Sequence, residues 1–448
     1  MRPGEVPRPQ FESVFTWQEQ SMTELSKFHN ESMETASRES IHEMQSRRLR
    51  SIVGHVYESN AVYRRLFDEK GIRPEDIRTA EDVVRLPLTS KDILRESYPL
   101  NMACVPRDQI VEMHMSSGST GTPVVMPYTR SDLDQWAECM ARCYRMSGAK
   151  PGDATQITPL FGLFNGGFGM YHGARAAGLF VIPAGPGNTA RQIRLARDLR
   201  TRVFTGVVSY GIRLMEVLAE EKESLPELEI GIFGAEVFSD SMKKKISSGL
   251  DIDVFDIYGM TESGGVGTLG MDCPAHDGIH VWEDQYILEI IDPKTGEPVD
   301  DGEEGELVFT SLTREALPMI RFRTADLTHV ISRDRCECGR THIRLAPITG
   351  RRDDMLIVKG VNFFPKQIEQ TLLGIPGIGN NYQIIVEEED GVNSVRVNVE
   401  AEPGVTGYMV EKALKEALGF SPKGDVFPLG GLPRQEGKAK RVFHNRIK

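Results

Sequence analysis

The 448-residue chain lacks any run of about 18 apolar residues, so nothing in it reads as a membrane-spanning helix. It also lacks a basic excess: 53 Lys and Arg stand against 65 Asp and Glu, a net charge of −12. A negative field of that size argues against general nucleic-acid binding and against adsorption to an anionic membrane. Cysteine is scarce, with six in the whole chain, too few for a disulfide scaffold at this length. The first ten residues carry two arginines but no apolar stretch, so the expectation is no secretion signal and a reducing, cytoplasmic setting. In that setting clustered cysteines more often hold metal or do chemistry. No repeat or low-complexity tract appears, and 40% hydrophobic with 26% charged residues fits a globular enzyme of two or three domains.

The chain then divides by pattern. Residues 1–40 are polar and read as an N-terminal arm or docking segment, with a short helix expected within Phe11 to His29. From Ile41 the apolar residues Leu49, Ile52, Val53 and Val56 fall at helical spacing. Ile110-Val111 and Val124-Val125-Met126 read as strands around a glycine-rich turn, and Ser131 as the cap of a helix through Tyr144. Between Thr155 and Val330 short strands alternate with helices, which predicts an α/β fold with a mostly parallel sheet and helices outside it. A boundary is expected near Gly350, giving a large domain over 41–350 and a small α+β domain over 351–448.

The sharpest motif is Ser116-Ser117-Gly118-Ser119-Thr120-Gly121-Thr122-Pro123. Its glycines free the backbone, and its amides and hydroxyls suit phosphate oxygens. It is not a Walker A loop, because no Lys follows Gly121. A second cluster is Cys336-Glu337-Cys338, half of a zinc knuckle, with Cys273 and two histidines upstream. A closed structural zinc site takes four Cys or His ligands. The expected set is Cys273, His280, Cys336 and Cys338, with His276 and His342 in reserve. Cys104, Cys139 and Cys143 read as helix or core thiols.

The glycine loop resembles the phosphate loop of the adenylate-forming superfamily of acyl-CoA synthetases. Five further segments occur in family order: Gly234-Ala235-Glu236, Asp256-Ile257-Tyr258-Gly259-Met260-Thr261-Glu262, Arg321 to Leu327, Gly350 to Met355, and Leu432 to Lys440. Together they are similar to phenylacetate–CoA ligases, with the related synthetases that attach AMP to a deazaflavin coenzyme nearby.

The resemblance implies a large adenylate-forming domain, a small mobile one, and two chemical steps. A carboxylate attacks the α-phosphorus of ATP and pyrophosphate leaves; the thiol of coenzyme A then displaces AMP. It further implies that Ser116, Ser117, Gly118, Ser119, Thr120 and Gly121 hold phosphate, that Gly234, Ala235 and Glu236 line the adenine pocket, and that Asp256, Tyr258, Gly259 and Met260 complete the nucleotide site. Thr261 would meet the α-phosphate and Glu262 would hold Mg²⁺, a hard cation that takes carboxylate oxygen. Asp326 and Arg351 would meet the ribose and phosphates, and Asp353 would be the hinge. Lys438 would neutralise charge as the phosphorus is attacked; by composition alone it belongs to a basic tail with Lys440 and Arg441.

Phe161, Phe164, Gly166 and Gly167 would form an acyl pocket for a flat aromatic acid. This chain has Phe161 where the family usually has Tyr, and Ala325 where it usually has Gly or Arg. The implied partners are ATP, coenzyme A and an aromatic carboxylic acid such as phenylacetate, with a homodimer by resemblance only. The alternative is an adenylyltransferase that does not use coenzyme A.

Overall fold

The computed structural model describes residues 26–116, 122–236, 238–354, 356–358, 361–389, 392–433 and 441–446. Among these, the central sheet has nine strands. Five are parallel: Phe180–Ile182, Ala154–Ile157, Val203–Val207, Ile230–Gly234 and Asp253–Met260, in that spatial order. Val203, Phe204, Ile232, Phe233, Val254 and Phe255 are all buried, as expected of strands covered on both faces. From Asp253–Met260 onward the sheet continues antiparallel through Gly265–Asp272, Ile279–Val281, Arg344–Leu345 and Val330–Ser332.

An antiparallel sheet of Tyr286–Ile291, Gly305–Ser311, Phe322–Thr328 and Gly350–Arg351 stands beside it. The C-terminal part forms a separate four-stranded sheet, ordered Lys423–Pro428, Val392–Ala401, Ile378–Glu389 and Val442–Arg446. Helices Pro365–Leu373 and Gly407–Leu418 cover it, over a core that includes Ile368, Val397, Val410 and Leu414. Among the described residues no helix is long and apolar enough to cross a membrane.

Two local readings change. The helix over Arg130–Met146 is capped by Thr129, not Ser131. Thr129 Oγ accepts from the Asp132 amide at 3.1 Å, and the Asp132 carboxylate accepts from the Thr129 amide at 2.9 Å. This reciprocal box outcompetes a single serine cap two residues later. The acyl-pocket glycines Gly166 and Gly167 lie in a helix, Asn165–Ala176.

The described part of the N-terminal arm, from Ser26, is docked. Glu34 is fully buried and pairs with Arg340 at 2.6 Å, while the His29 and Asn30 amides donate to its other oxygen at 2.8 Å. The helix that follows starts at Arg38, behind a Ser37 cap. Of the segment Phe11 to His29, residues before Ser26 lie outside the described residues.

A second buried charge fixes how Arg130–Met146 seats. Arg142 is 0% exposed, and its guanidinium donates to both Asp284 oxygens at 2.7 and 3.0 Å and to Glu138 at 2.6 Å. Burial alone would raise the Asp284 carboxyl, yet Arg142 holds it down at about 2. Asp284→Ala leaves that guanidinium buried without its main counter-ion and is expected to cost about 3–5 kcal/mol in equilibrium urea unfolding. A loss below about 1 kcal/mol would mean that Glu138 and solvent replace it.

Candidate functional site

The carboxyl ends of parallel strands are where open α/β sheets bind ligands. Here those ends bring Gly234, Ala235 and Glu236 beside Asp256, Tyr258 and Gly259. A Cβ on Gly234 would stand 2.4 Å from the Ile257 carbonyl oxygen, so only glycine lets these strands approach. Glu236 accepts from the Ser209 amide at 2.7 Å and its hydroxyl at 3.1 Å. Tyr258 donates its hydroxyl to Asp326 Oδ2 at 2.6 Å, and Arg351 reaches Asp326 Oδ1 at 3.0 Å. Burial, then the Asp326 charge, pushes the Tyr258 hydroxyl well above its ordinary range, so it stays protonated and donates.

Two alanines hold left-handed backbone at this rim: Ala235 at φ 66° and Ala325 at φ 65°. Such a conformation costs a non-glycine residue about 1–2 kcal/mol. Each adjoins a candidate binding carboxylate, Glu236 and Asp326 respectively, where backbone strain commonly collects.

Thr261 Oγ accepts from Asn165 Nδ2 at 2.9 Å. Glu262 is 2% exposed, and its Oε1 faces the Lys91 ammonium at 3.3 Å. Lys91 is delivered by Thr89, whose amide and carbonyl join Arg321 and Arg323 at 3.0 and 2.9 Å, and by a helix over Lys91–Glu96 capped by Ser90. The Met260 amide donates to Ser263 Oγ at 3.1 Å, closing the turn that carries Thr261 and Glu262.

Ser116 stands at the neck of the glycine loop, exchanging hydrogen bonds with Val124 at 2.9 and 3.0 Å. Ser117, Gly118, Ser119, Thr120 and Gly121 lie outside the described residues, as does Lys438. Asp353 falls in the tight turn Arg352–Asp354, directly after the Gly350–Arg351 strand; its side chain is outside the description.

Among the acyl-pocket residues, Phe161 meets Phe168 edge-on at 5.5 Å and Tyr171 at 6.4 Å, whereas Phe164 is 42% exposed. Gly166 and Gly167 occupy the first turn of Asn165–Ala176. A Cβ on Gly167 would press on the Leu160 carbonyl at 2.8 Å, so this glycine serves close helix packing.

The sequence reading missed Lys91, Asn165 and Ser209. Lys91 did carry a signal: a lysine in the first turn of a helix opposes the helix dipole. Asn165 sat inside a glycine-rich run that hid its helix.

Away from this rim, Cys273, His280, Cys336 and Cys338 bring their four ligand atoms within 4.8 Å of one another. Cys273 Sγ is 3.8 Å from Cys336 Sγ, and Cys338 Sγ is 3.4 Å from His280 Nε2. Zinc bonds of about 2.3 Å to sulfur and about 2.0–2.1 Å to nitrogen give tetrahedral edges of about 3.8 Å and about 3.5 Å. The cluster therefore fits such an ion. The hydrogen bond with Cys273, then His280, favours the thiolate form of Cys338. Neither reserve histidine joins in: His276 pairs with Asp253 at 2.7 Å, and His342 binds the Glu283 amide and the Met33 carbonyl at 2.9 Å.

The sequence matches the family described as AMP-binding enzyme over residues 28–313, and the AMP-binding enzyme C-terminal domain over residues 360–446. Phenylacetate-coenzyme A ligase of Thermus thermophilus is 39% identical over 439 residues, spanning 92% of this chain and 98% of that protein. The Escherichia coli protein of that name is 39% identical over 428 residues, spanning 92% and 97%. The chain belongs to the phenylacetate-coenzyme A ligase family. Among solved structures, 2-hydroxyisobutyryl-CoA ligase in the postadenylation state superimposes with a TM-score of 0.87 at 28% identity, covering 94% of this chain and 93% of that one. The same ligase in the thioesterification state, at 29% identity and equal coverage, gives 0.70. The present arrangement of the two family domains thus resembles the postadenylation form.

One carboxyl at this family's sheet edge is out of its usual range. Burial, with the Asp272 charge second, lifts Asp256 to about 7, against the pull of Lys243 and Lys366. The folded state therefore holds this proton more tightly than the unfolded chain. Its contribution favours folding at low pH and is lost as pH rises from the ordinary carboxylate range through about 7. Asp256→Asn is expected to flatten the urea-midpoint profile between about pH 5 and about pH 8. A slope unchanged by that substitution would assign the titration to another group.

Proposed function

We propose that this chain is an AMP-forming acid–thiol ligase that converts an aromatic carboxylic acid, phenylacetate or a close arylacetate, to its coenzyme A thioester. The carrying observation is Asp326, fixed at the sheet's carboxyl edge by Tyr258 and Arg351, on the rim that also presents Glu236, Thr261 and Glu262. Relatives at 39% identity over nearly their whole length are CoA ligases, which favours this reading over AMP transfer to an acceptor without coenzyme A.

In the first step a substrate carboxylate oxygen bonds to the α-phosphorus of ATP, and the bond to pyrophosphate breaks. In the second the coenzyme A sulfur, as thiolate, bonds to the acyl carbon and the bond to AMP breaks. Asp326 accepts hydrogen bonds from the ribose hydroxyls, Glu236 borders the adenine, and Thr261 meets the α-phosphate. Glu262, buried with its Oε1 facing Lys91 at 3.3 Å, would hold Mg²⁺, which screens phosphate charge when bound. Lys438 supplies the cation that stabilises the phosphorus centre under attack. Phe161, with Phe168 and Tyr171 behind it, offers an aromatic wall to the acid.

The reading includes a cytoplasmic homodimer, with all six cysteines free of disulfides. It also includes a structural zinc ion at Cys273, His280, Cys336 and Cys338. That ion would tie the loop after Gly265–Asp272 to the loop against which Glu34 packs.

With ATP and phenylacetate the protein is expected to release pyrophosphate, and with coenzyme A to form the thioester. A panel of acids that yields neither would refute the assignment. Lys438→Ala is expected to slow adenylation by about 10²–10³-fold and to spare thioester formation from supplied phenylacetyl-adenylate. Equal loss of both steps would contradict that role.

Freshly purified protein is expected to contain about one zinc per chain, and a strong chelator to lower the melting temperature before it lowers activity. Clearly substoichiometric metal would remove the zinc assignment.

A further inference from the structure

The C-terminal domain touches the large domain through few groups. Asn380, at the start of strand Ile378–Glu389, sits between two helices of the large domain. Its side-chain Oδ1 accepts from Lys245 on Asp240–Leu250, and its Nδ2 donates to Glu216 on Val208–Glu221 at 3.0 Å. Arg441 stiffens the segment from behind, reaching the Asn380 carbonyl at 3.3 Å and Asn381 Oδ1 at 2.8 Å.

Lys366, on Pro365–Leu373, donates to the Ile348 carbonyl at 2.8 Å across the hinge turn. The acidic groups Asp256, Asp240, Glu369 and Glu304 surround its ammonium. Leu373, at the end of the same helix, packs against the large-domain cluster that contains Leu214 and Ile246. A domain that turns must surrender every one of these contacts, so they bias the population toward the arrangement in which they form. That arrangement superimposes on the postadenylation form at 0.87 and on the thioesterification form at 0.70.

We infer that Asn380, clasped by Lys245 and Glu216, and Lys366, anchored on Ile348, are positioning residues that hold the C-terminal domain in the adenylate-forming arrangement and let go for thioester formation. The inference rests on the ligase reading above. None of these side chains needs to touch a reacting atom. Removing one contact should therefore act unequally on the two half-reactions, whereas general damage would act on both.

The test uses the full chain carrying Asn380→Ala or Lys245→Ala. Pyrophosphate release with ATP and phenylacetate is expected to fall about five- to twentyfold, a range suited to one or two partly exposed polar contacts. Thioester formation from supplied phenylacetyl-adenylate and coenzyme A is expected to hold or rise. The double variant should lose no more than the worse single one, because both residues serve one contact. An equal fall in both half-reactions, or no change in either, would overturn the clamp.

A second measurement needs no substrate. Amide hydrogen exchange over 240–250 and 365–373 is expected to quicken in Asn380→Ala, and unchanged protection there would overturn the clamp by itself. A wild-type protein that releases no pyrophosphate with any acid would refute the ligase reading, and exchange would still decide the clamp.

Discussion

Three parts of the molecule meet on one carboxylate. Asp326 belongs to the four-stranded antiparallel sheet, Tyr258 to the nine-stranded sheet, and Arg351 to the last two residues before the turn Arg352–Asp354. The strand register repeats the link, since Asp326 pairs directly with Arg351 across the ladder. A shift of the Gly350–Arg351 strand by one residue would turn Arg351 to the opposite face, away from Asp326. The position of the nucleotide rim and the direction in which the chain leaves the large domain are thus set by the same group. Left-handed Ala325, just before it, is the local cost of aiming that carboxylate inward.

The rim also separates its acids by environment. Asp256 sits where burial and Asp272 favour the neutral form. Glu262 is 2% exposed and has Lys91 3.3 Å away, a cation brought from a helix about 170 positions earlier in the chain. Two carboxyls six residues apart in one motif therefore have different neighbours, and only tertiary packing decides which.

That difference also explains what could be read from the residues alone. The parallel strands were legible because strands buried on both faces must be apolar throughout, as at Val203-Phe204 and Ile232-Phe233. The pairing of Cys336 and Cys338 was legible because the single residue between them, Glu337, keeps the two thiols close. Choosing His280 over His276 depended on the sheet: His280 pairs with Arg344 in the ladder, which turns it toward the cysteine loop, whereas left-handed His276 turns to Asp253. The partners of Lys91, of Ser209 and of the docked residues 26–36 were not legible, because they are distant in sequence and no periodicity encodes them. The helix over Asn165–Ala176 was hidden for a different reason. Its glycines at 166, 167, 169 and 173 lower intrinsic helicity, yet a Cβ at Gly169 or Gly173 would collide with Trp136 or Met140, so close packing overrides propensity.

The two halves of the molecule are held by opposite means. Inside the large domain the charges that fix geometry are buried and multiply bonded, as at Arg142 with Asp284 and Glu34 with Arg340. Removing one partner there leaves a desolvated ion, so these contacts resist exchange on the time scale of a reaction. At the seam to the C-terminal domain the described contacts include half-exposed polar ones, at Asn380 and Lys366, beside the apolar packing of Leu373. Water can replace a half-exposed hydrogen bond at little net cost, so such an interface can separate and reform. A catalyst that presents one face to a phosphate and another to a thiol needs that asymmetry: a frame that cannot rearrange, carrying a domain that must.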